Sequence, residues 1–209
     1  MIHRILLCAL AAGFAAGLAV TIAQMATVLP LIEQAVAIEQ MTPPGAAVDG
    51  PSLLETFLAN AVTGVGFGFL LLGAIAMAGR PVDFRRGLIW GVGGFFAFAL
   101  LPALGLPPKP PGVPGPPLAE AQTWWLLCIV LSAVGLLIGA FSKRWAGRIF
   151  ALALIVAPHV WGAPPVFGTI DPALQAMMLE FRLASLTTSA IFWSVLGGTA
   201  GLVYRKVVI

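Results

Sequence analysis

Charge is the scarcest property of this 209-residue chain. Only 9% of the residues are Asp, Glu, Lys or Arg, whereas 60% are hydrophobic, and the mean hydropathy is +1.01. A soluble domain carries about 25% charged residues. Because so few charges cannot cover a water-facing surface, the composition excludes a soluble globular protein and predicts a multi-spanning protein of a lipid bilayer.

The chain also lacks the residue patterns of most enzymes and nucleotide-binding proteins. It has no G-x-x-x-x-G-K-[ST] loop, no H-E-x-x-H motif and no paired carboxylates inside an apolar segment. Its two cysteines, Cys8 and Cys128, lie in apolar segments, where we expect buried structural thiols rather than a disulfide. The formal net charge of +3 is interpreted as a mark of membrane orientation. We therefore predict no enzyme, no cofactor and no nucleic-acid partner.

Six apolar segments predict an all-α polytopic bundle, a single membrane domain over residues 1–209. The segments lie near residues 5–29, 53–77, 87–101, 124–141, 149–161 and 183–204. Since a spanning helix needs about 20 apolar residues, the third and fifth are short, and we expect them to continue as extended chain covered by protein. Residues 102–117 are so rich in proline that we expect the helix to break at Pro102 into a stiff outer loop.

The basic residues predict the orientation of the bundle. Nine of them fall on one side of a six-span arrangement: Arg4, Arg80, Arg85, Arg86, Lys143, Arg144, Arg148, Arg205 and Lys206. The positive-inside rule then puts both termini in the cytoplasm. In the alternative interpretation, residues 1–23 are a signal peptide whose cleavage leaves five spans. Their apolar run is longer than the roughly 7–15 residues of a signal peptide, which favours a first helix.

The glycines and prolines suggest how the helices pack. Small-residue pairs at a spacing of four recur at Gly64/Gly68, Gly87/Gly91, Gly135/Gly139 and Gly197/Gly201, and they predict close helix–helix seams. Two stretches, 85–108 and 143–165, share a basic start, a short apolar segment, a proline and a Pro-Pro pair. We therefore hypothesise three hairpins built from a parallel repeat. The simpler explanation is that Pro-Pro follows membrane helices by chance.

Few polar side chains fall inside the apolar segments. On the first helix Gln24 lies in a row with Thr21 and Thr27, and on the second Asn60 and Thr63 lie one turn apart. Polar groups inside lipid are costly and usually face the bundle interior or a cavity. They predict either hydrogen bonds between helices or the lining of a pathway.

Three residues are candidates for binding a metal ion. His159 follows Pro158 at a helix end, where an imidazole can bind a divalent metal or cap the carbonyls that the proline leaves free. Glu33 and Glu39, together with Asp49 and Glu55, predict an acidic outer loop. Such a loop raises the local concentration of cations, or it is simply a solvated connection.

The order of several segments resembles the CbtA family. The segments are Asn60-Ala-Val-Thr-Gly-Val-Gly-Phe67, Arg86-Gly-Leu-Ile-Trp90-Gly, Pro102-Ala-Leu-Gly-Leu-Pro-Pro108, Gln122-Thr-Trp-Trp125, Pro158-His159 and Phe192-Trp193. The resemblance implies a subunit of a cobalt importer linked to cobalamin synthesis, with a small CbtB-type partner that has one membrane helix and a histidine-rich end. It also implies roles for His159, Gln122, Asn60 and Glu39. The chain departs from the family at Lys109, where an acidic residue is common.

We therefore expect passage of a divalent cation, cobalt, as the substrate rather than as a bound cofactor. Glu33, Glu39 and His159 are the expected metal ligands, and Gln24, Asn60, Thr63 and Gln122 the expected lining. The alternative is a membrane scaffold that transports nothing and packs into a larger complex. A homo-oligomer fits either function.

Overall fold

The computed structural model describes residues 2–40 and 52–207, and all regular elements in these ranges are helical. The helices are α1 (Ile2–Ala26), α2 (Val28–Glu39), α3 (Leu53–Ala78), α4 (Phe84–Phe95), α5 (Leu101–Gly105), α6 (Leu118–Phe141), α7 (Trp145–Trp161) and α8 (Pro172–Val207). A π-helical segment, Phe96–Leu100, joins α4 to α5 without a break. The predicted all-α class is confirmed.

Five stretches of the described residues are long and apolar enough to cross a membrane. They are Ile5–Ala26, Leu53–Ala78, Phe84–Gly105, Leu118–Phe141 and Pro172–Lys206. Helix α7 is a shorter apolar helix of 17 residues, or about 25 Å at 1.5 Å per residue. The chain is therefore a multi-pass membrane protein by length and composition.

Four helices, α1, α3, α4 and α8, form the main bundle, in which α8 packs against both α1 and α4 and α3 packs against α1. The predicted glycine seams are confirmed at two of these contacts. A Cβ atom added to Gly64 would lie 2.3 Å from the carbonyl oxygen of Gly13, and one added to Gly87 would lie 2.2 Å from that of Gly197. These helices meet backbone against backbone, which side chains larger than hydrogen would prevent.

Contacts at the two ends of the bundle show which connections lie together. The Arg80 guanidinium lies 4.7 Å from the centroid of the Phe141 ring, which joins the α3–α4 connection to the end of α6. The charge of Arg205, near the end of α8, acts on Asp83 in the same connection. At the opposite end, Val113 of the proline-rich loop packs into an apolar cluster with Leu174 at the start of α8. The proline-rich loop and the basic connections therefore lie at opposite ends.

Helices α6 and α7 form an antiparallel pair beside the main bundle. Within the described residues they contact α4, the π segment and α5, but not α1, α3 or α8. The repeat hypothesis paired α7 with α8 in the same way as α4–α5 with α6. Because α7 and α8 do not touch, the two stretches lack a common packing arrangement, and the hypothesis is not supported.

The helix does not break at Pro102, contrary to the prediction. The π segment precedes it, and the N–H of Leu101 donates to the carbonyl of Phe96, five residues back. Pro102 has no N–H to donate and its ring would crowd the preceding turn of an α-helix. The wider π turn accommodates it, so Phe84–Gly105 is a continuous stretch of 22 residues. The prediction that this segment ends as extended chain was wrong.

The chain outside the predicted spans also forms helices. Helix α2 carries Glu33 and Glu39, which the sequence suggested for a loop, and Pro30 fits there because the first turn of a helix needs no N–H partners. Glu55 lies in the first turn of α3, where its carboxylate accepts from the N–H of Ser52 at 2.8 Å in a capping box. Asp49 lies outside the described residues. The acidic outer loop is therefore replaced, over its described part, by two helices.

Helix α8 is longer than the predicted last segment. It has 36 residues, or about 54 Å, and exceeds the roughly 30 Å hydrocarbon core of a bilayer. Its first turns pack against α2 and Val113 in the apolar cluster that contains Leu174. This cap covers the proline-rich end of the bundle.

Candidate metal-binding residues and polar contacts between the helices

An amide cluster joins α1 to α3. The Asn60 side-chain amide donates to the Gln24 carbonyl oxygen at 2.7 Å and to the Thr21 hydroxyl at 3.0 Å. The Thr21 hydroxyl in turn donates to the carbonyl of Gly17 at 2.8 Å. A Cβ atom on Gly17 would lie 2.8 Å from the Cα of Ala61, so the two backbones are close enough for short side chains to bond. Gln24 and Asn60 are thus brought together.

These hydrogen bonds favour an interhelical role for the amide cluster. Both N–H groups of the Asn60 amide are used by acceptors on α1. Such bonds stabilise membrane helix pairs by about 0.6 kcal/mol on average. The cluster fixes the register of α1 on α3.

The other two candidates for a pathway lining do not join the amide cluster. Thr63 is exposed on α3, and Gln122 is exposed near the start of α6. Helices α3 and α6 do not touch within the described residues. Gln122 therefore cannot share a site with Asn60 in this structure.

His159 lies in the last turn of α7, partly buried against α6. Its ring meets the indole of Trp124 edge to face, with the ring centroids 5.8 Å apart. Its Nε2 atom lies 3.9 Å from Sγ of Cys128, which is itself 3.9 Å from the Ser132 hydroxyl. Cys128 and Ser132 are fully buried. Helices α6 and α7 therefore bring a nitrogen, a sulfur and an oxygen atom to one place.

The position of this group follows from how α6 and α7 pack. The indole N–H of Trp124 donates to the carbonyl of Pro158 at 3.1 Å, next to His159 in the chain. Further along, a Cβ atom on Gly135 would lie 2.8 Å from the carbonyl oxygen of Ala151. A hydrogen bond at one end and a backbone contact at the other hold the two helices in register.

The three predicted metal ligands do not form a single site. Glu33 and Glu39 are both exposed on α2, and their spacing of six residues turns them about 120° apart around a helix. Helices α2 and α7 do not touch within the described residues, so His159 is remote from both carboxylates. In the same residues no three His, Cys, Asp or Glu side chains are grouped closely enough to hold a metal ion.

The Lys109 side chain forms a hydrogen bond within the proline-rich loop. Its ammonium group donates to the carbonyl of Val113, four residues on. Glu39 lies against the same loop, with its Cδ 3.5 Å from the Cβ position of Gly112. The loop is thus closed by its own lysine and packed on α2.

A cleft of about 750 Å³ separates α6 from α3 and α4. Its walls are mostly small or apolar side chains, among them Ala74, Trp90, Ala97, Ala133 and Leu137. Arg80 and Arg86 line its basic end, where the Arg86 guanidinium donates to the carbonyl of Pro81 at 2.6 Å. An apolar wall offers no replacement for the water around a metal ion, and two arginines repel one. The cleft therefore suits an apolar helix or a lipid chain better than a cation.

The sequence matches a known protein family over nearly its whole length. Residues 2–205 match a family described as "Probable cobalt transporter subunit (CbtA)". The chain belongs to the CbtA family. No curated protein and no solved structure matches the chain.

Membership of the CbtA family confirms the resemblance found in the sequence. The match includes residues of all eight helices, so the amide cluster, the Cys128–His159 contact and the cleft all lie within the CbtA region. The family description makes this chain a transporter subunit, and a subunit implies partner proteins.

Sequence reasoning missed Cys128 as a functional candidate. Trp124, Cys128 and Ser132 recur every four residues, which places them on one face of α6. That spacing was available in the sequence, but the approach of His159 from α7 was not.

Proposed function

We propose that this CbtA-family chain is the membrane-spanning subunit through which cobalt, as a divalent cation, enters the bacterial cell. The observation that carries the proposal is the family match over residues 2–205. A partly buried imidazole at the α6–α7 interface supports it, because imidazole nitrogen is a good ligand for divalent transition metals. Cobalt is the substrate here, not a resident cofactor.

In the proposed topology the chain crosses the inner membrane six times, with both termini in the cytoplasm. Helix α7 is the fifth crossing, and its length of about 25 Å is close enough to the hydrocarbon thickness for local thinning of the bilayer to compensate. The positive-inside rule, the contact of Arg80 with Phe141 and the electrostatic effect of Arg205 on Asp83 support this arrangement.

The cation meets the exposed carboxylates first under this proposal. Glu33 and Glu39 lie on α2 in the cap at the proline-rich end, where negative charge concentrates cations. His159 then takes the ion. Gln122 lies near the start of α6, at the proline-rich end of the bundle. Gln24 and Asn60 are better explained as the contact that holds α1 to α3.

A partner is expected because the family is described as a transporter subunit, and because no three His, Cys, Asp or Glu side chains of the described residues are grouped to hold a metal ion. We propose that a CbtB-type protein with one membrane helix occupies the cleft between α3, α4 and α6. Small residues such as Ala74, Ala97 and Ala133 allow close approach of another helix. The partner would supply further metal ligands.

Uptake of radiolabelled cobalt tests the function. Cells that produce the chain with the small partner should accumulate cobalt, and His159→Ala should reduce the accumulation at equal protein level. His3→Ala is the matched control, since His3 is exposed near the chain start. Wild-type uptake by His159→Ala would remove His159 from the path, and no uptake by the wild-type pair would overturn the transport function.

The second candidate is a scaffold that transports nothing. The apolar cleft with Arg80 and Arg86 at its end favours it, since these groups suit protein or lipid contacts more than a cation. Purification in native lipid distinguishes the two functions. Stoichiometric association with an unrelated membrane complex, without cobalt accumulation, supports the scaffold.

A further inference from the structure

The α6–α7 interface places a thiol next to an imidazole. The chain has only two cysteines and two histidines, and Cys128 and His159 come from different helices, 31 residues apart in sequence. The other cysteine, Cys8, is buried in the main bundle among apolar side chains. The meeting of Cys128 with His159 is therefore a specific feature of how α6 packs on α7.

The geometry of this contact is close to that of two ligands on one metal ion. With metal–sulfur and metal–nitrogen bonds of about 2.3 and 2.05 Å and a tetrahedral angle, sulfur and nitrogen lie about 3.6 Å apart. Cys128 Sγ and His159 Nε2 are 3.9 Å apart. A small rotation of either side chain closes the difference.

The surroundings of this contact supply a direction of approach and an oxygen atom. His159 is partly exposed, whereas Cys128 and Ser132 are fully buried. The carbonyl of Pro158 accepts from both the Trp124 indole and the N–H of Gly162, at 3.1 Å each, which fixes the turn that carries His159. An ion would thus meet the imidazole first, then the thiol, with the Ser132 hydroxyl beyond.

We propose that Cys128 and His159 form a transient site for a divalent transition-metal ion between α6 and α7. To bind the ion, the imidazole gives the Nε2 lone pair to the metal while Nδ1 keeps its proton. The thiol gives its proton to water as the metal–sulfur bond forms, so the thiolate is the ligand. Water and the Ser132 hydroxyl complete the coordination.

This site deepens the proposed transport function and rests on it. Nitrogen and sulfur ligands favour borderline and soft ions such as cobalt over magnesium or calcium. Two protein ligands hold an ion less tightly than the four of a structural site. Weak binding suits a transport step, because the ion must be able to leave.

The test is a cobalt titration of the full purified chain in lipid nanodiscs. Co²⁺ bound by a thiolate gives a sulfur-to-metal charge-transfer band, which water or imidazole ligands do not give. We expect the band in the wild type and in the control Cys8→Ser, and its loss in Cys128→Ser. His159→Gln should weaken apparent affinity by about tenfold or more, since even the loss of outer-shell partners costs 10–100-fold.

A second measurement does not depend on the folding of the Cys128 variant. In the Cys8→Ser background a maleimide can reach the buried Cys128 only when α6 and α7 separate transiently, and Co²⁺ should slow this alkylation further. His159→Gln should remove that protection. A wild type with neither a charge-transfer band nor protection overturns the site.

Uptake measured separately distinguishes the two proposals. A thiolate band without cobalt uptake leaves the site standing and overturns the transport function. Cobalt uptake with no band, and with wild-type rates in Cys128→Ser, overturns the site and leaves the transport function standing.

Discussion

Substitution of Gly87 by alanine tests the packing of α4 on α8. A Cβ atom at this position would lie 2.2 Å from the carbonyl oxygen of Gly197 and 2.9 Å from the Cα of Gly201. Real Cβ atoms essentially never approach another atom within 3.0 Å. The helices must therefore separate by at least 0.8 Å (3.0 minus 2.2) at the point where both are glycine.

The expected loss of stability follows from this displacement. Overpacking of a well-packed interior costs about 1–3 kcal/mol, and the Gly87 contact is with backbone, which has no rotamer to change. We expect Gly87→Ala to lower stability by about 3 kcal/mol. Gly93→Ala is the matched control, because it lies on the same helix with nothing within 4 Å of the new Cβ atom. Alanine there should stabilise α4 by up to about 1 kcal/mol.

The assay is thermal unfolding of the full chain in detergent or lipid, followed by size-exclusion chromatography of the surviving protein. The midpoint should fall by several degrees for Gly87→Ala and stay level or rise for Gly93→Ala. Equal midpoints for the two variants would contradict the close contact between α4 and α8.

Three further predictions follow from single contacts. Asn60→Leu removes two interhelical hydrogen bonds and should lower stability by about 1 kcal/mol, with cobalt uptake unchanged at equal protein level; lost uptake at normal stability would instead indicate a pathway role. Trp124→Phe removes the indole donor to α7 and should cost about 1 kcal/mol in thermal unfolding, whereas Trp125→Phe, an exposed site, should change nothing. The pKa of Asp83 is lowered, first by the hydrogen bond from the backbone N–H of Arg86 and then by nearby positive charges. The Asp83 carboxylate therefore stabilises the fold at pH values above the ordinary aspartate pKa. This stabilisation is lost as the pH falls through the lower pKa that Asp83 has in the folded chain. Unfolding midpoints of Asp83→Asn should therefore decline less in acid than those of the wild type, and parallel declines would exclude this role.

Hydropathy and glycine spacing predicted the parts of the fold that depend on local sequence. The apolar segments appeared as helices, and Gly64 and Gly87 lie at backbone contacts as the spacing indicated. The positions of the basic residues predicted that the connection at Asp83 and the end of α8 lie together. These features depend on solvent preference and helix periodicity, which are properties of short windows of sequence.

Proline was the least reliable guide. Pro30, Pro102 and Pro158 all lie within helices, although a proline in the interior of a helix usually ends or kinks it. Pro30 is accommodated by the first turn of α2, and Pro102 by the π segment before α5. The last turn of α7, which contains Pro158, is held by the Pro158 carbonyl, because it accepts hydrogen bonds from Trp124 on α6 and from Gly162. The position of a proline is visible in the sequence, but the contacts that let the helix continue through it are not.

The candidate site was likewise predicted in part by the sequence and decided in part by tertiary contacts. Composition was enough to establish a helical membrane protein, and the order of its motifs was enough to indicate the CbtA family, later confirmed over residues 2–205. Only the folded chain decided that His159 faces Cys128 rather than Glu33 and Glu39, and that Gln24 bonds to Asn60. The physical reason is that apolar helices in lipid gain nothing from burying one another's hydrophobic surface. Which helices pair is decided by steric fit and single hydrogen bonds, and these join residues far apart in the sequence.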